Sequence, residues 1–251
     1  MSTKIAFITG ATSGIGRATA ILLADQGIHL ILCGRRKDRL KELESQLSKK
    51  TKIATLSFDI RNQEEVENAF SSLSTEWKNI DILINNAGNA HGLTPIQNGV
   101  VSDWENMIDL NIKGVLYISR LVIPIMVEAK KGHVINIGSI AGKEVYPNGN
   151  VYSATKHAID ALTKSMRIDL NPFGIKVTGI HPGLVETEFS IVRFKGDKEK
   201  AAQVYQGCEP LTPENIAESI WFVINQPTHV VIADLTILPT AQASATLVNR
   251  K

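Results

Sequence analysis

The run Ile5-Ala6-Phe7-Ile8-Thr9 is apolar without alternation and stops at a turn with glycines at 10, 14 and 16. A strand with no polar face suits a parallel sheet, because helices cover both of that sheet's surfaces. Ile15, Ala18, Leu22 and Leu23 then repeat at helical spacing up to Gly27, a helix stop. In this order, strand, glycine turn and helix start aim unpaired backbone N–H groups and the positive end of the helix dipole at one point. An anion such as a pyrophosphate is expected there. The spacing is TGxxxGxG rather than GxGxxG, and by itself it also suits an ordinary turn between strand and helix.

The alternation continues down the chain. Further strands are expected at 29–33, 53–58, 81–84, 133–138, 175–181 and 229–235, with helices at 37–49, 63–77, 102–129, 150–171 and 213–225. Strands and helices in strict turn imply an α/β protein: a doubly wound Rossmann fold with a seven-stranded parallel sheet, helices on both faces and right-handed crossovers. No linker, repeat or low-complexity run divides the 251 residues, so one domain over 1–251 is expected. Residues 190–210 lack periodicity and follow the sixth strand, which suggests a substrate lid at about 184–212.

Charge and cysteine content exclude several function classes. With 27 Lys+Arg against 25 Asp+Glu the net charge is +2, too balanced for a nucleic-acid or anionic membrane surface. Cys33 and Cys208 are the only cysteines, so no disulfide framework is expected. The histidines at 29, 91, 133, 157, 181 and 229 form no metal-ligand spacing, and no metal is expected. The first strand begins too early for a signal-peptide core and there is no run of 18 apolar residues. A cytoplasmic protein acting on a small molecule is the expectation.

In a sheet of this kind ligands bind beyond the carboxyl ends of the strands. Gly34-Arg35-Arg36 follows the second strand, where an acidic residue would bind a ribose 2′-hydroxyl and arginine a 2′-phosphate. These arginines favour NADP over NAD, although Arg36 also suits the exposed start of a helix. Asp59 ends the third strand and is open to two readings, a partner for the adenine amino group or the cap of the next helix. Asn85-Asn86-Ala87-Gly88 follows the fourth strand and offers amide groups with little bulk. Asn111 lies inside a long helical pattern, and Ser139 stands at the end of the fifth strand. Alone, either could be an ordinary helix or turn residue. After the sixth strand come Pro182-Gly183 and the segment Leu184 to Phe189, which includes Val185 and Thr187 and is expected near the nicotinamide end of a cofactor.

Tyr152 and Lys156 are four residues apart, which on a helix leaves them about 40° from each other on one face. A free phenol titrates near pH 10, and half-ionising it near pH 7 needs about 4 kcal/mol. One nearby cation supplies about one to three pKa units. A lysine therefore lowers the phenol part of the way, and a positively charged nicotinamide ring would add to it.

Taken together, TGxxxGxG at Gly10, Gly14 and Gly16, NNAG at Asn85 to Gly88, Ser139, Tyr152 and Lys156 make the chain resemble the short-chain dehydrogenase/reductase family from about residue 4 to 236. Within that family it looks most like bacterial NADP-dependent 3-hydroxy acid dehydrogenases. That likeness is carried by Glu76-Trp77, Gly149-Asn150-Val151-Tyr152, Val192-Arg193-Phe194-Lys195-Gly196-Asp197 and Leu211-Thr212-Pro213-Glu214. The resemblance implies a catalytic set of Asn111, Ser139, Tyr152 and Lys156, with Tyr152 as acid and base, Ser139 polarising the substrate oxygen and Asn111 organising a water path to Lys156. It implies NADP as cofactor, held by Gly10, Thr12, Ser13, Gly14, Ile15, Gly16, Arg35, Arg36, Asp59, Ile60, Asn86, Ala87, Gly88, Tyr152, Lys156, Pro182, Gly183, Val185 and Thr187. Substrate would meet Ser139 and Tyr152; the carboxylate of a hydroxy acid also needs a cationic partner, for which Arg193 or Lys195 in the lid is the candidate, although either also suits an exposed or subunit-contact charge. The implied substrates are serine, allo-threonine or 3-hydroxypropanoate; the alternatives are neutral ketones, aldehydes or sugars, or an NADP sensor without turnover. The family usually forms homotetramers, so one is expected here.

Overall fold

A computed structural model describes residues 3–251. Seven strands, β1 Ile5–Thr9, β2 His29–Gly34, β3 Ile53–Ser57, β4 Ile82–Asn85, β5 His133–Ile137, β6 Lys176–Pro182 and β7 Asp234–Ile237, form one parallel sheet in the order β3-β2-β1-β4-β5-β6-β7. The order reverses between β1 and β4, which pair in register with Ala6 opposite Ile82. That reversal opens a crevice at the carboxyl ends of the central strands, where loops diverge to opposite sides of the sheet.

Side chains alternate along each strand, and this sorts the core into two layers. Ala6, Ile8, Leu30, Leu32 and Ile84 face helices α1 (Gly14–Asp25), α2 (Lys37–Leu47) and, near the opposite end of the chain, the helix Pro213–Ile224. Phe7, Ile31, Leu83, Val134 and Val177 face α3 (Gln63–Ser71) and a long helical run over 101–129. The all-apolar strands are thus explained by two covered faces.

That run consists of α4 (Val101–Ile108), a π-helical turn over Asp109–Lys113 and α5 (Gly114–Ala129). By length and composition alone it could cross a membrane, but Ile118, Val122 and Met126 pack it against the sheet. Four more helices follow in chain order: α6 (Asn150–Leu170), α7 (Phe189–Arg193), α8 (Lys198–Gln203) and α9, the Pro213–Ile224 helix above. Proline at the start of α9 and a capping box between Thr212 and Asn215 fix where it begins.

Three expectations need correction. The helix expected over 63–77 ends at Ser71, and Thr75–Trp77 forms a separate 3₁₀ turn. Ser71 and Ser72 bond back to the carbonyls of Asn68 and Ala69, which competes with continuation. The last strand is Asp234–Ile237, not 229–235. Ahead of it, Lys176 Nζ takes the carbonyls of Gln226, Pro227 and Val230, and Thr178 Oγ1 takes that of Ile232, so side chains satisfy this backbone instead of a ladder. Finally, the cap of α3 is Asn62, whose side chain accepts from Glu65 N; Asp59 does not serve as that cap.

Candidate active site

A cavity of about 720 Å³ lies at the crevice between the central strands. Its floor is the glycine turn. Gly10 has φ +68°, and a Cβ there would stand 2.9 Å from Asn86 Nδ2; on Gly16 it would stand 2.4 Å from Gly10 O. Gly16 therefore does not line the cavity but lets α1 close on the turn. Thr9 Oγ1 accepts from the N–H groups of Asn86 and Ala87, and Asn86 Nδ2 donates to Thr9 O, which locks β1 to β4. Asn85 is spent inside the core, donating to Ser119 and Asn136.

The start of α1 retains its anion-binding capacity. Ser13 makes no side-chain cap, and the first turn of α1 holds no acidic residue, so neither neutralises the positive end of the helix. Gly10, Thr12, Ser13, Gly14 and Ile15 all line the cavity, as do Ile60, Ala87 and Gly88. This glycine cradle, its uncapped helix end and a volume in the range of small-molecule sites fit a dinucleotide.

Arg35 and Arg36 also line the cavity, in different states. Arg35 is mostly exposed and only 3.7 Å from Asp59 at its nearest. Arg36 is engaged by Thr12, Ser13 and Glu188. Asp59 lies outside the cavity lining and is gripped by Arg61, whose Nη2 is 2.6 Å away. The hydrogen bond from Arg61 outweighs partial burial and holds the Asp59 carboxyl below its usual pKa.

The other wall comes from β5, α6 and the segment after β6. Tyr152 and Lys156 project from one side of α6 into the cavity, both buried, with Nζ 6.0 Å from the phenol ring centroid. Lys156 Nζ donates to Ile137 O at 2.9 Å, which anchors it to the end of β5 beside Ser139. Ser139 begins a 3₁₀ turn and its Oγ accepts from Ala141 N. Asn111 sits in the π-helical turn, buried behind the cavity wall. Its Oδ1 accepts from Asn89 N, and its Nδ2 donates to Asn89 O and to Thr155 Oγ1, next to Lys156. A π-turn redirects one side chain out of helical register, and here it directs Asn111 at the loop after β4. Gly88 leaves room between Asn111 and Lys156, since a Cβ there would lie 3.3 Å from one and 3.4 Å from the other.

The electrostatics differ from the sequence expectation. Burial pushes the Tyr152 phenol up to about 12; Tyr146 adds to the rise, while the Arg193 guanidinium and a hydrogen bond with Ser139 pull the other way. Burial also lowers Lys156 to about 8. The protein's own groups thus keep the phenol protonated at neutral pH, because desolvation of the phenolate exceeds what Arg193 and Ser139 return. The cation nearest the ring is not Lys156 but Arg193, 5.1 Å from its centroid.

Pro182, Gly183, Val185 and Thr187 line the cavity from the β6 side, and Arg193 reaches in from α7. Arg193 stands among three rings: Tyr152, Tyr146 at 5.6 Å and Phe189 at 5.7 Å. Its Nη2 hydrogen-bonds Tyr146 Oη, while its Nε is buried without a partner. Lys195 is different; it pairs with Asp103 at 2.9 Å and does not line the cavity. Tyr146 and Gln242 are lining residues that sequence reasoning missed. Gln242 is buried and its Oε1 accepts from Leu184 N, so the C-terminal segment braces the β6 loop. No spacing marks either residue; only a Tyr-Pro-Asn-Gly turn shortly before Tyr152 hints at the first.

The chain is similar to known proteins over nearly its whole length. The family model described as short chain dehydrogenase matches residues 4–198. The NADP-dependent 3-hydroxy acid dehydrogenase YdfG of Escherichia coli K12 is 47% identical over 244 residues, covering 97% of this chain and 98% of that protein. Sulfoacetaldehyde reductase 2 of Chromohalobacter salexigens is 40% identical over 248 residues, with 98% of both chains covered. A closed form of serine dehydrogenase complexed with NADP+ superposes with a TM-score of 0.92 at 47% identity, over 96% of this chain and 97% of that one.

Proposed function

The chain belongs to the short chain dehydrogenase family, and from that premise we propose that it is an NADP-dependent oxidoreductase acting on a small 3-hydroxy acid such as serine, allo-threonine or 3-hydroxypropanoate. The observation that carries the choice of an acid is Arg193, whose guanidinium stands 5.1 Å from the Tyr152 ring with a buried, unpartnered Nε. A cation that close to the proton-transferring phenol suits a carboxylate one or two carbons from the reacting alcohol. The named relatives act on a hydroxy acid and a sulfonated aldehyde, and both substrate types carry an anion near the reacting carbon.

When bound, NADP(H) supplies or accepts the hydride. Gly10 to Ile15 cradle its pyrophosphate, and Arg35 with Arg36 receives the 2′-phosphate. Ser139 and Tyr152 hold the substrate oxygen. Tyr152 gives that oxygen a proton in carbonyl reduction and removes it in alcohol oxidation. Lys156, tied to Ile137 O, places a positive charge beside the phenol and reaches the ribose hydroxyls. Asn111 holds the Asn89 backbone and Thr155, next to Lys156, and would there organise water toward that lysine. The segment 184–212 acts as a lid whose α7 carries Arg193 to the substrate.

The deciding experiment is a panel in which NADP+ reduction is followed with serine, allo-threonine, 3-hydroxybutyrate and simple alcohols. The acids are expected to exceed the neutral alcohols in kcat/KM by on the order of 10²-fold, the value of a paired charge in a dry site. Equal rates on neutral alcohols would favour a reductase of neutral carbonyls. No turnover on any would favour a cofactor sensor.

We also propose a cytoplasmic homotetramer. Val101, Ile108 and Leu116 on α4 and α5, and Ile168 on α6, are exposed apolar side chains on the helices through which the family assembles. Sedimentation velocity is expected to give about four times the 27.4 kDa of one chain; a monomer at micromolar concentration would contradict this.

A further inference from the structure

Glu188 immediately precedes α7, and its carboxylate reaches from the lid to the wall that receives the adenosine end of the cofactor. One oxygen lies 2.7 Å from Arg36 Nη1 and the other 2.6 Å from Arg39 Nη1. Arg36 also donates from Nε and Nη2 to Thr12 Oγ1 at 3.1 and 3.0 Å, and from Nη2 to Ser13 Oγ at 2.7 Å. The neighbouring Thr187 packs on the glycine turn, close enough that a Cβ on Gly14 would stand 3.2 Å from its methyl group. The lid is therefore fastened to the phosphate-binding wall five residues before Arg193.

The charges give this contact a consequence for cofactor choice. Arg36 and Arg39 share one carboxylate, so only part of their positive charge is left for a ligand. Arg35, exposed and loosely placed against an Asp59 that belongs to Arg61, is the freer guanidinium. Partial burial opposes ionisation of Glu188, but hydrogen bonds from Arg36 and Arg39 hold its pKa below the usual carboxylate value, so it is charged at neutral pH. A phosphate monoester carries close to two negative charges there. Bound at Arg36, it meets the Glu188 carboxylate across a single guanidinium, and the two repel. A 2′-hydroxyl meets no such opposition.

We propose that Glu188 is a second determinant of cofactor selectivity: it restrains the preference for the 2′-phosphorylated dinucleotide set by the arginines, and fastens the substrate lid to the same two guanidiniums. The inference rests on the reading of Arg35 and Arg36 as phosphate ligands. Any loss of lid fastening acts on both dinucleotides alike, whereas the charge of Glu188 acts on the 2′-phosphate alone.

The test is the ratio Kd(NADH)/Kd(NADPH), measured by fluorescence titration of the full chain at constant ionic strength, for the natural protein and for Glu188→Gln. The amide keeps the size of the side chain and removes its charge. The ratio is expected to rise by on the order of tenfold in the variant, and the rise should shrink in high salt because these groups are partly exposed. Equal binding of both dinucleotides by the natural protein and by Glu188→Gln alike would refute the arginine reading itself. A natural protein that prefers NADPH, with a ratio unchanged or lowered in Glu188→Gln, would overturn the role of Glu188 alone. Weakening of both dinucleotides by the same factor leaves the ratio unchanged and counts as that second result. Glu188→Asp, too short to span both arginines, should give a smaller change and serves if the first variant does not fold.

Discussion

Tyr152→Phe is expected to lower kcat about 10²- to 10⁴-fold in both directions while leaving the dissociation constant for NADPH nearly unchanged. Phenylalanine keeps the ring that packs 5.5 Å from Phe189 and lies under Arg193, so the wall of the cavity survives. Only the hydroxyl is lost, the group proposed above to exchange a proton with the substrate oxygen. The pH dependence follows from the direction of the shift. Burial raises the phenol to about 12, so at neutral pH it is the acid that reduction requires, and the phenolate that oxidation requires is scarce. Oxidation should therefore quicken as pH rises from 7 to 10, less steeply once Lys156, lowered to about 8, gives up its charge beside the phenol, while reduction holds steady only until that lysine is neutralised. Steady-state rates in both directions, with NADPH binding followed separately, check this. Near-normal turnover in the variant, or oxidation that is flat across that range, would remove Tyr152 from the proton-transfer role.

How much of this was legible in the chain depends on the range of the contacts. β1, the glycine turn and α1 were readable because five apolar residues, three glycines and a helical repeat lie next to one another. The pairing of Tyr152 with Lys156 was readable because helical geometry alone fixes it. Where long-range partners decide, local pattern does not suffice. The last strand was misplaced because Lys176 and Thr178, some 50 residues earlier, hold the backbone before it. Asn111 gave no sign of the π-turn that carries it. Asn85 and Asn86 offer adjacent amides to a local reading, but Asn85 ties strands and helix inside the core, whereas Asn86 lines the cavity and braces the glycine turn. The phenol, expected to be lowered by its lysine, is instead raised by burial, with Arg193 and Ser139 as the groups that oppose the rise; burial is fixed by packing and not written in the spacing of two residues. Tyr146 and Glu188 reached the site through contacts 47 and 152 residues away in sequence, which no local pattern encodes.

Arg193→Leu is expected to separate the two substrate classes. Leucine preserves apolar bulk between Tyr146, Tyr152 and Phe189 but removes the charge and the unpartnered Nε donor. Loss of one partner from a desolvated charge pair costs about 2–5 kcal/mol, which is at least about 30-fold in kcat/KM for hydroxy acids. Neutral alcohols of the same size have no carboxylate to strand, and their kcat/KM should stay within a few-fold of the natural protein. Tyr146→Phe removes only the hydroxyl that holds Nη2, so it should lower kcat/KM for acids by much less, about 3- to 10-fold, through looser placement of the guanidinium. Arg193→Lys keeps a positive charge without the planar fork and should fall between the two. This order holds only if the guanidinium reads the substrate's anion. An Arg193→Leu protein that loses acids and neutral alcohols equally would mark the residue as a structural brace of α7, and one that loses neither would move acid recognition to another group in the cavity.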